Sequence, residues 1–175
     1  MTYTVSPTVD DVIIDLRTFV TSVLGSSVPC IKGIANRVPA PLPASGFVVL
    51  TPIHQQRLEF NTDTWAGANP LTLNVRQSVL IDIQLDVYGP HAGSWAAMLA
   101  TLFRDDYACA LMLNSQPLYM DEGRMIPLID SESQYEQRWS LVATIQFNPV
   151  VQPAQSFADS AEVTLVDVEE AYPPE

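Results

Sequence analysis

Lysine is almost missing from this sequence. Lys32 is the only one, beside seven arginines and against 20 acidic residues, and the formal net charge is −12. A chain this poor in cations has no basic patch with which to neutralise DNA phosphates. It is equally unsuited to an anionic membrane surface. Cysteine is scarce as well: Cys30 and Cys109 are too few for a disulfide framework or a metal-ligand spacing. Both are expected as buried free thiols. The two histidines, His54 and His91, read as turn or capping residues. The seven glycines never cluster, so no phosphate cradle is visible. No apolar run is long enough to span a bilayer. The start, Met1-Thr2-Tyr3-Thr4, carries no basic n-region, so no signal peptide is expected. The expectation is a soluble, reduced protein made in a cytoplasm.

What is present is apolar. Hydrophobic residues make up 47% of the chain and charged ones only 16%, the balance of a folded protein rather than a disordered one. The length of 175 residues suits a single domain, assigned to residues 1–168. Residues 169–175 form an acidic tail with Pro173-Pro174, expected to be flexible.

Periodicity gives the elements. Asp10 and Asp11 suit a helix N-terminus, and Val12, Leu16, Phe19, Val20 and Val23 recur at helical spacing up to Gly25, which predicts a helix over 8–24. Residues 26–46 hold Pro29, Pro39, Pro41 and Pro43 and read as a long irregular segment, suited to an arm or interface. Phe47–Thr51 reads as a buried strand ending near Pro52, residues 57–61 as an alternating one, and 62–70 as a loop. The strongest strand signal runs from Val75 to Tyr88, with Val79, Ile81, Ile83, Leu85 and Val87 on one face. A second helix is expected from Ala92 to Asp105, with a stripe of Trp95, Met98, Leu99, Leu102 and Phe103. A turn-rich stretch with Asn114, Pro117 and Gly123 precedes a short strand over 125–129. A long strand over 135–147 should pair antiparallel with 78–88, and 161–168 alternates as a last strand. The fold class is therefore α+β, an antiparallel β-sheet with two main helices packed on it.

Chemistry is hard to find in these residues. There is no nucleophile elbow, P-loop or paired-histidine zinc motif. Asp105-Asp106 is an acidic pair, and Asp82 and Asp86 share a strand face at about 13 Å, too far apart to share a proton or a metal without other groups. No catalytic residue, cofactor or metal is assigned, and the chain is read as non-enzymatic. The arginines say more. Arg37, Arg76, Arg104 and Arg138 lie in or beside elements, and arginine serves bidentate pairs inside a chain or between subunits. Both readings stand. The candidate subunit-interface residues are Asn36, Arg37, Arg104 and Arg138.

The order and spacing of several segments resemble the phage neck terminators, relatives of tail-completion and tail-terminator proteins. These segments are Asn36-Arg37-Val38-Pro39, Phe47-Val48-Val49-Leu50-Thr51-Pro52, Asp86-Val87-Tyr88-Gly89-Pro90, Leu102-Phe103-Arg104-Asp105-Asp106-Tyr107, Pro117-Leu118-Tyr119 and Pro127-Leu128-Ile129. The closest stretch is Gln134-Tyr135-Glu136-Gln137-Arg138-Trp139, followed by Gln146-Phe147-Asn148-Pro149. The resemblance implies a tail-terminator-like fold and a virion protein of the phage neck, assembled in the host cytoplasm. Such proteins form homo-oligomeric rings, commonly of six subunits. The ring caps the tail tube protein, ends its polymerisation and joins a head connector or head-completion protein. Duplex DNA passes through without specific binding, and no membrane is involved. Asp121 and Glu122, in a turn beside Gly123, are the candidate channel-facing acids. The −12 charge suits such a channel, and equally suits plain solubility. The alternatives are another head–tail adaptor ring, a tail tube protein, a small assembly chaperone and, on the acidic pairs, a metal-dependent hydrolase.

Overall fold

The computed structural model describes residues 4–34, 45–67, 72–129, 135–154 and 162. In chain order the elements are β1 (Val5–Ser6), α1 (Val9–Leu24), β2 (Cys30–Lys32), β3 (Phe47–Arg57), β4 (Thr62–Ala66), β5 (Thr72–Arg76) and β6 (Val79–Tyr88). There follow α2 (Ala92–Phe103), α3 (Asp106–Leu111), β7 (Gln116–Met120), β8 (Arg124–Met125), β9 (Leu128–Ile129), β10 (Tyr135–Glu136), β11 (Arg138–Phe147) and β12 (Val150–Val151). The expected strand over 161–168 and the acidic tail lie outside the described residues.

The main sheet has the order β2-β3-β6-β11-β7, with β8 also pairing β11. Every pair in it is antiparallel except β2–β3. Its spine is the expected one: β6 and β11 pair without a break from Arg138↔Tyr88 to Phe147↔Val79. The register stacks Leu85 on Leu141, Ile83 on Ala143 and Ile81 on Ile145, all buried. A one-residue slip would turn this whole row toward solvent, so burial fixes the register.

The helices cover that apolar face. α1 begins at Thr8, whose hydroxyl accepts from the Asp11 N–H while the Asp11 carboxylate accepts from the Thr8 N–H at 2.7 Å. This reciprocal pair satisfies helix-end donors that would otherwise lack partners. α1 buries Val12, Leu16, Phe19 and Val20. Phe19 meets Phe103 of α2 edge-to-face at 5.4 Å, the favoured geometry for two ring quadrupoles. Asp15 is a buried acid on the same helix. It accepts from the Asn114 N–H (2.8 Å), the Asn114 side-chain amide (3.1 Å) and the Ser115 hydroxyl (2.8 Å). A buried carboxylate survives when its lone pairs are filled, and here it ties α1 to the turn after α3.

A smaller sheet has the order β1-β12-β5-β4. Gln77 and Ser78 divide what the alternation had joined into one strand from Val75: β5 belongs to this small sheet and β6 to the main one.

Other expectations need correction. The segment 26–46 is not wholly irregular, because Cys30–Lys32 adds a parallel strand beside Val48–Leu50. Proline blocks pairing only where its own missing N–H is needed, and Pro29 lies just before that strand. β3 runs on through Pro52 to Arg57, with a register shift between Pro52 and His54, and the alternating strand expected over 57–61 does not form: only Arg57 is paired, and 58–61 link β3 to β4. Residues 62–66 form β4, not a loop. Pro117 sits buried within β7, which the sequence had read as a turn, since β7 is an edge strand. The short strand over 125–129 is two pieces, β8 and β9. The expected strand over 135–147 is interrupted at Gln137: β10 pairs β9 and β11 starts at Arg138. On α2 the buried face is Ala92, Ala96, Leu99 and Phe103, and Met98 is 44% exposed. The small alanines let the helix sit close to the sheet, so the face turns away from the larger residues. The helix also ends at Phe103, and Asp105 caps a separate α3. Cys30 is buried as expected, but Cys109 is exposed, because α3 turns Ala108 inward instead.

Candidate functional site

The arginines singled out above hold different positions. Arg138 opens β11 opposite Tyr88. Its Nε donates to Asp86 Oδ1 at 3.1 Å and a terminal nitrogen donates to Oδ2 at 2.9 Å. This is a bidentate pair on a buried carboxylate, which also accepts from the Gln84 amide at 2.9 Å. The bond to Asp86 raises the Arg138 guanidinium above its ordinary value, against partial desolvation. The intrachain reading of Arg138 is thus realised. Tyr88, opposite Arg138 in the register, stacks on Phe47 at 4.6 Å. Just before them, Gly46 holds φ +73°, and a Cβ there would meet the Trp95 ring at 2.7 Å. Only glycine fits that turn.

Arg104 caps the C-terminus of α2. Its Nε and a terminal nitrogen both donate to the Met120 carbonyl, at 3.0 and 2.6 Å, and its guanidinium lies 4.7 Å from the Tyr119 ring centre. The side chain pins α2 to β7 while remaining at the surface. Asp121 follows β7 directly; its carboxylate accepts from the Val142 N–H, and it is half-buried. Glu122 is exposed. Arg104 and Glu122 face one cleft of ≈ 380 Å³ whose floor is Gly93, Ala97, Thr101 and Trp139. Asn36 and Arg37 lie outside the described residues.

The acidic pairs do not come together as a reaction centre. Asp105 is an N-cap that accepts from the Asp106 N–H at 2.6 Å. Asp82 accepts from the Thr144 hydroxyl at 2.7 Å, while Asp86 is engaged by Arg138. His54 lies on exposed β3 and His91 precedes α2 with no side-chain cap. Among the described residues no three His, Cys, Asp or Glu side chains gather as metal ligands. No helix among them is long and apolar enough to cross a membrane.

Two surfaces escaped the sequence reading. Every residue from 53 to 67 is exposed, although this run includes half of β3 and all of β4. It displays Ile53, Leu58, Phe60 and Trp65, with Phe60 93% exposed. Alternation at Leu58-Glu59-Phe60 was visible, but alternation marks a half-buried strand only when a core lies on one side. Beside the first half of β3, α1 and β2 enclose a groove of ≈ 440 Å³ walled by Ile13, Ile14, Ile31 and Leu50, with Asp10, Arg17 and Lys32 also lining it.

These surfaces suit contacts between proteins better than turnover of a small molecule. No curated protein matches the chain. A family described as phage neck terminator protein matches residues 10–170, a span that runs from the first turn of α1 past β12. The chain belongs to the phage neck terminator family.

Proposed function

We propose that this chain forms a homo-oligomeric ring, hexameric in the manner implied by its resemblance, at the neck of a tailed phage virion. The ring caps the tail tube, ends tail polymerisation and joins the tail to the head connector. It acts by geometry and performs no catalysis. Assembly takes place in the host cytoplasm, and duplex DNA passes through without specific binding. The observation that carries this reading is the family match over nearly the whole chain. The exposed apolar run 53–67 and the α1–β2 groove support it, because a ring needs two different surfaces on each subunit.

Within that ring Asn36, Arg37 and Arg104 are assigned to contacts between subunits. Arg138 is assigned to the chain's own fold, since Asp86 occupies its guanidinium. Asp121 and Glu122 are assigned to the channel rim, Glu122 as the freer carboxylate.

The test is a capping assay. Purified chain is added to purified tail tubes with an excess of tube subunits, and the products are imaged by electron microscopy. One ring at one end of each tube, and no further elongation there, is expected. Tubes that keep growing, or cylinders built from this chain alone, would overturn the proposal.

A further inference from the structure

The exposed run 53–67 and the α1–β2 groove have matching character. The first is aromatic and aliphatic, and its tip carries two acids on either side of Phe60: Glu59, whose carboxylate accepts from the Ser78 hydroxyl, and Asp63. Arg57, the cation at its base, lies beside the Gln77 side-chain amide. The groove is apolar inside and is lined by Arg17 and Lys32, two of the eight cations in the whole chain, and by one acid, Asp10. Lys32 is paired with Asp10, but both are exposed, whereas Arg17 stands exposed on the outer face of α1. Exposed ion pairs of this kind are weak and exchange partners readily. Ile14, 59% exposed, forms part of the groove's wall.

The two surfaces cannot meet within one molecule. Leu50, in the groove, and Arg57, at the base of the exposed tip, are seven residues apart along β3, which stays paired to β6 up to Arg57↔Val79. A paired strand is stiff, and at its ordinary rise this spacing is about 23 Å. Among the described residues each surface also adjoins an open sheet edge: β2 is the outermost strand of the main sheet and β4 of the small one. Open edges carry a row of backbone groups that no strand satisfies.

We propose that Phe60 and its neighbours on one subunit dock in the α1–β2 groove of a second copy of this chain, so that the contact repeats head to tail around the ring. This deepens the ring reading and rests on it. Glu59 and Asp63 then face Arg17 and Lys32 across the joint. A contact between two different patches of one chain closes into a ring when its rotation returns to the start.

The test uses phage particles assembled with cysteine variants in a Cys109→Ser background: Phe60→Cys, Ile14→Cys, and the two together. Both sites are exposed, and unchanged melting temperatures verify folding. After mild oxidation with diamide, the double variant should give a ladder of linked subunits, and a mixture of the single variants should give dimers only. Either single variant alone should stay monomeric. Phe60→Asp should be soluble, equally stable and absent from particles. Monomers from the double variant in particles that contain the chain would overturn the inference and leave the ring reading standing, as would Phe60→Asp entering particles normally. Like-with-like dimers from one single variant would overturn the head-to-tail arrangement. Absence of the wild-type chain from particles would overturn the ring reading itself.

Discussion

Asp86 shows how much a single residue can carry. Its carboxylate is buried on the polar side of the sheet and is held by Arg138 and Gln84. Removing the cation leaves a buried charge without its partner. Arg138→Ala should therefore cost about 3 kcal/mol in denaturant unfolding, and Arg138→Met with Asp86→Leu should recover most of it. A cost near zero for Arg138→Ala would mean that Asp86 is solvated. The sequence offered Arg138 in two roles, and it is the register, which sets Arg138 against Tyr88 and so beside Asp86, that supplies the intrachain pair. The thiols teach the opposite lesson. Burial pushes the Cys30 thiol up to about 11, and Arg17 offsets this only in part, whereas Cys109 is exposed. Alkylation needs the thiolate. Native protein should take up one iodoacetamide per chain between pH 7 and 9, at Cys109, and a second only on unfolding. Rapid double labelling of the native chain would contradict the burial of Cys30. A lone cysteine carries no periodic signal of its own, so exposure at Cys109 was set by which face of the short α3 turned inward.

Among the elements, β6 and β11 were legible because one face of each is buried along its whole length, and burial writes alternation into sequence. Ile83 and Ile145 are fully buried in that face. Replacing either with Ala should cost about 2–5 kcal/mol, from lost transfer energy and the cavity left behind. Thermal or urea unfolding measures it, and a value near zero for both would remove them from the core. The α1 boundaries were legible for a local reason, since Thr8 and Asp11 cap one end and Gly25 stops the other. β3, β4 and β7 were not. Pro52 and Pro117 sit inside strands whose neighbours tolerate them, and β4 has no buried face to set a period. The same property that hid β4 makes it a candidate surface. The α2 stripe was misplaced because Ala92 and Ala96, small and weakly hydrophobic, were outweighed by Trp95 and Met98, although close packing to the sheet favours the alanines. Deleting 27–44, a natural test of the proline-rich segment, would remove β2 along with buried Val28 and Cys30. A deletion confined to 35–44 spares them.

For the whole molecule, charge and assembly are the properties that matter. The chain carries −12 with one lysine. If part of that surplus lines the channel, changing Asp121 and Glu122 to Lys introduces phosphate contacts that release counterions, and DNA ejection should slow and become salt-dependent. Unchanged ejection from intact particles would leave the acidity as a matter of solubility. Asp121 is the harder test, since its carboxylate also holds the Val142 N–H. Glu122→Lys alone avoids that loss.

The central claim is that this chain ends tail growth and joins tail to head. Infection with phage lacking it tests that claim most directly, with the lysate viewed by electron microscopy. The account predicts full heads without tails, beside unattached tails of unregulated length, both restored to normal particles when the chain is supplied in trans. Infectious particles with attached tails of ordinary length would contradict it.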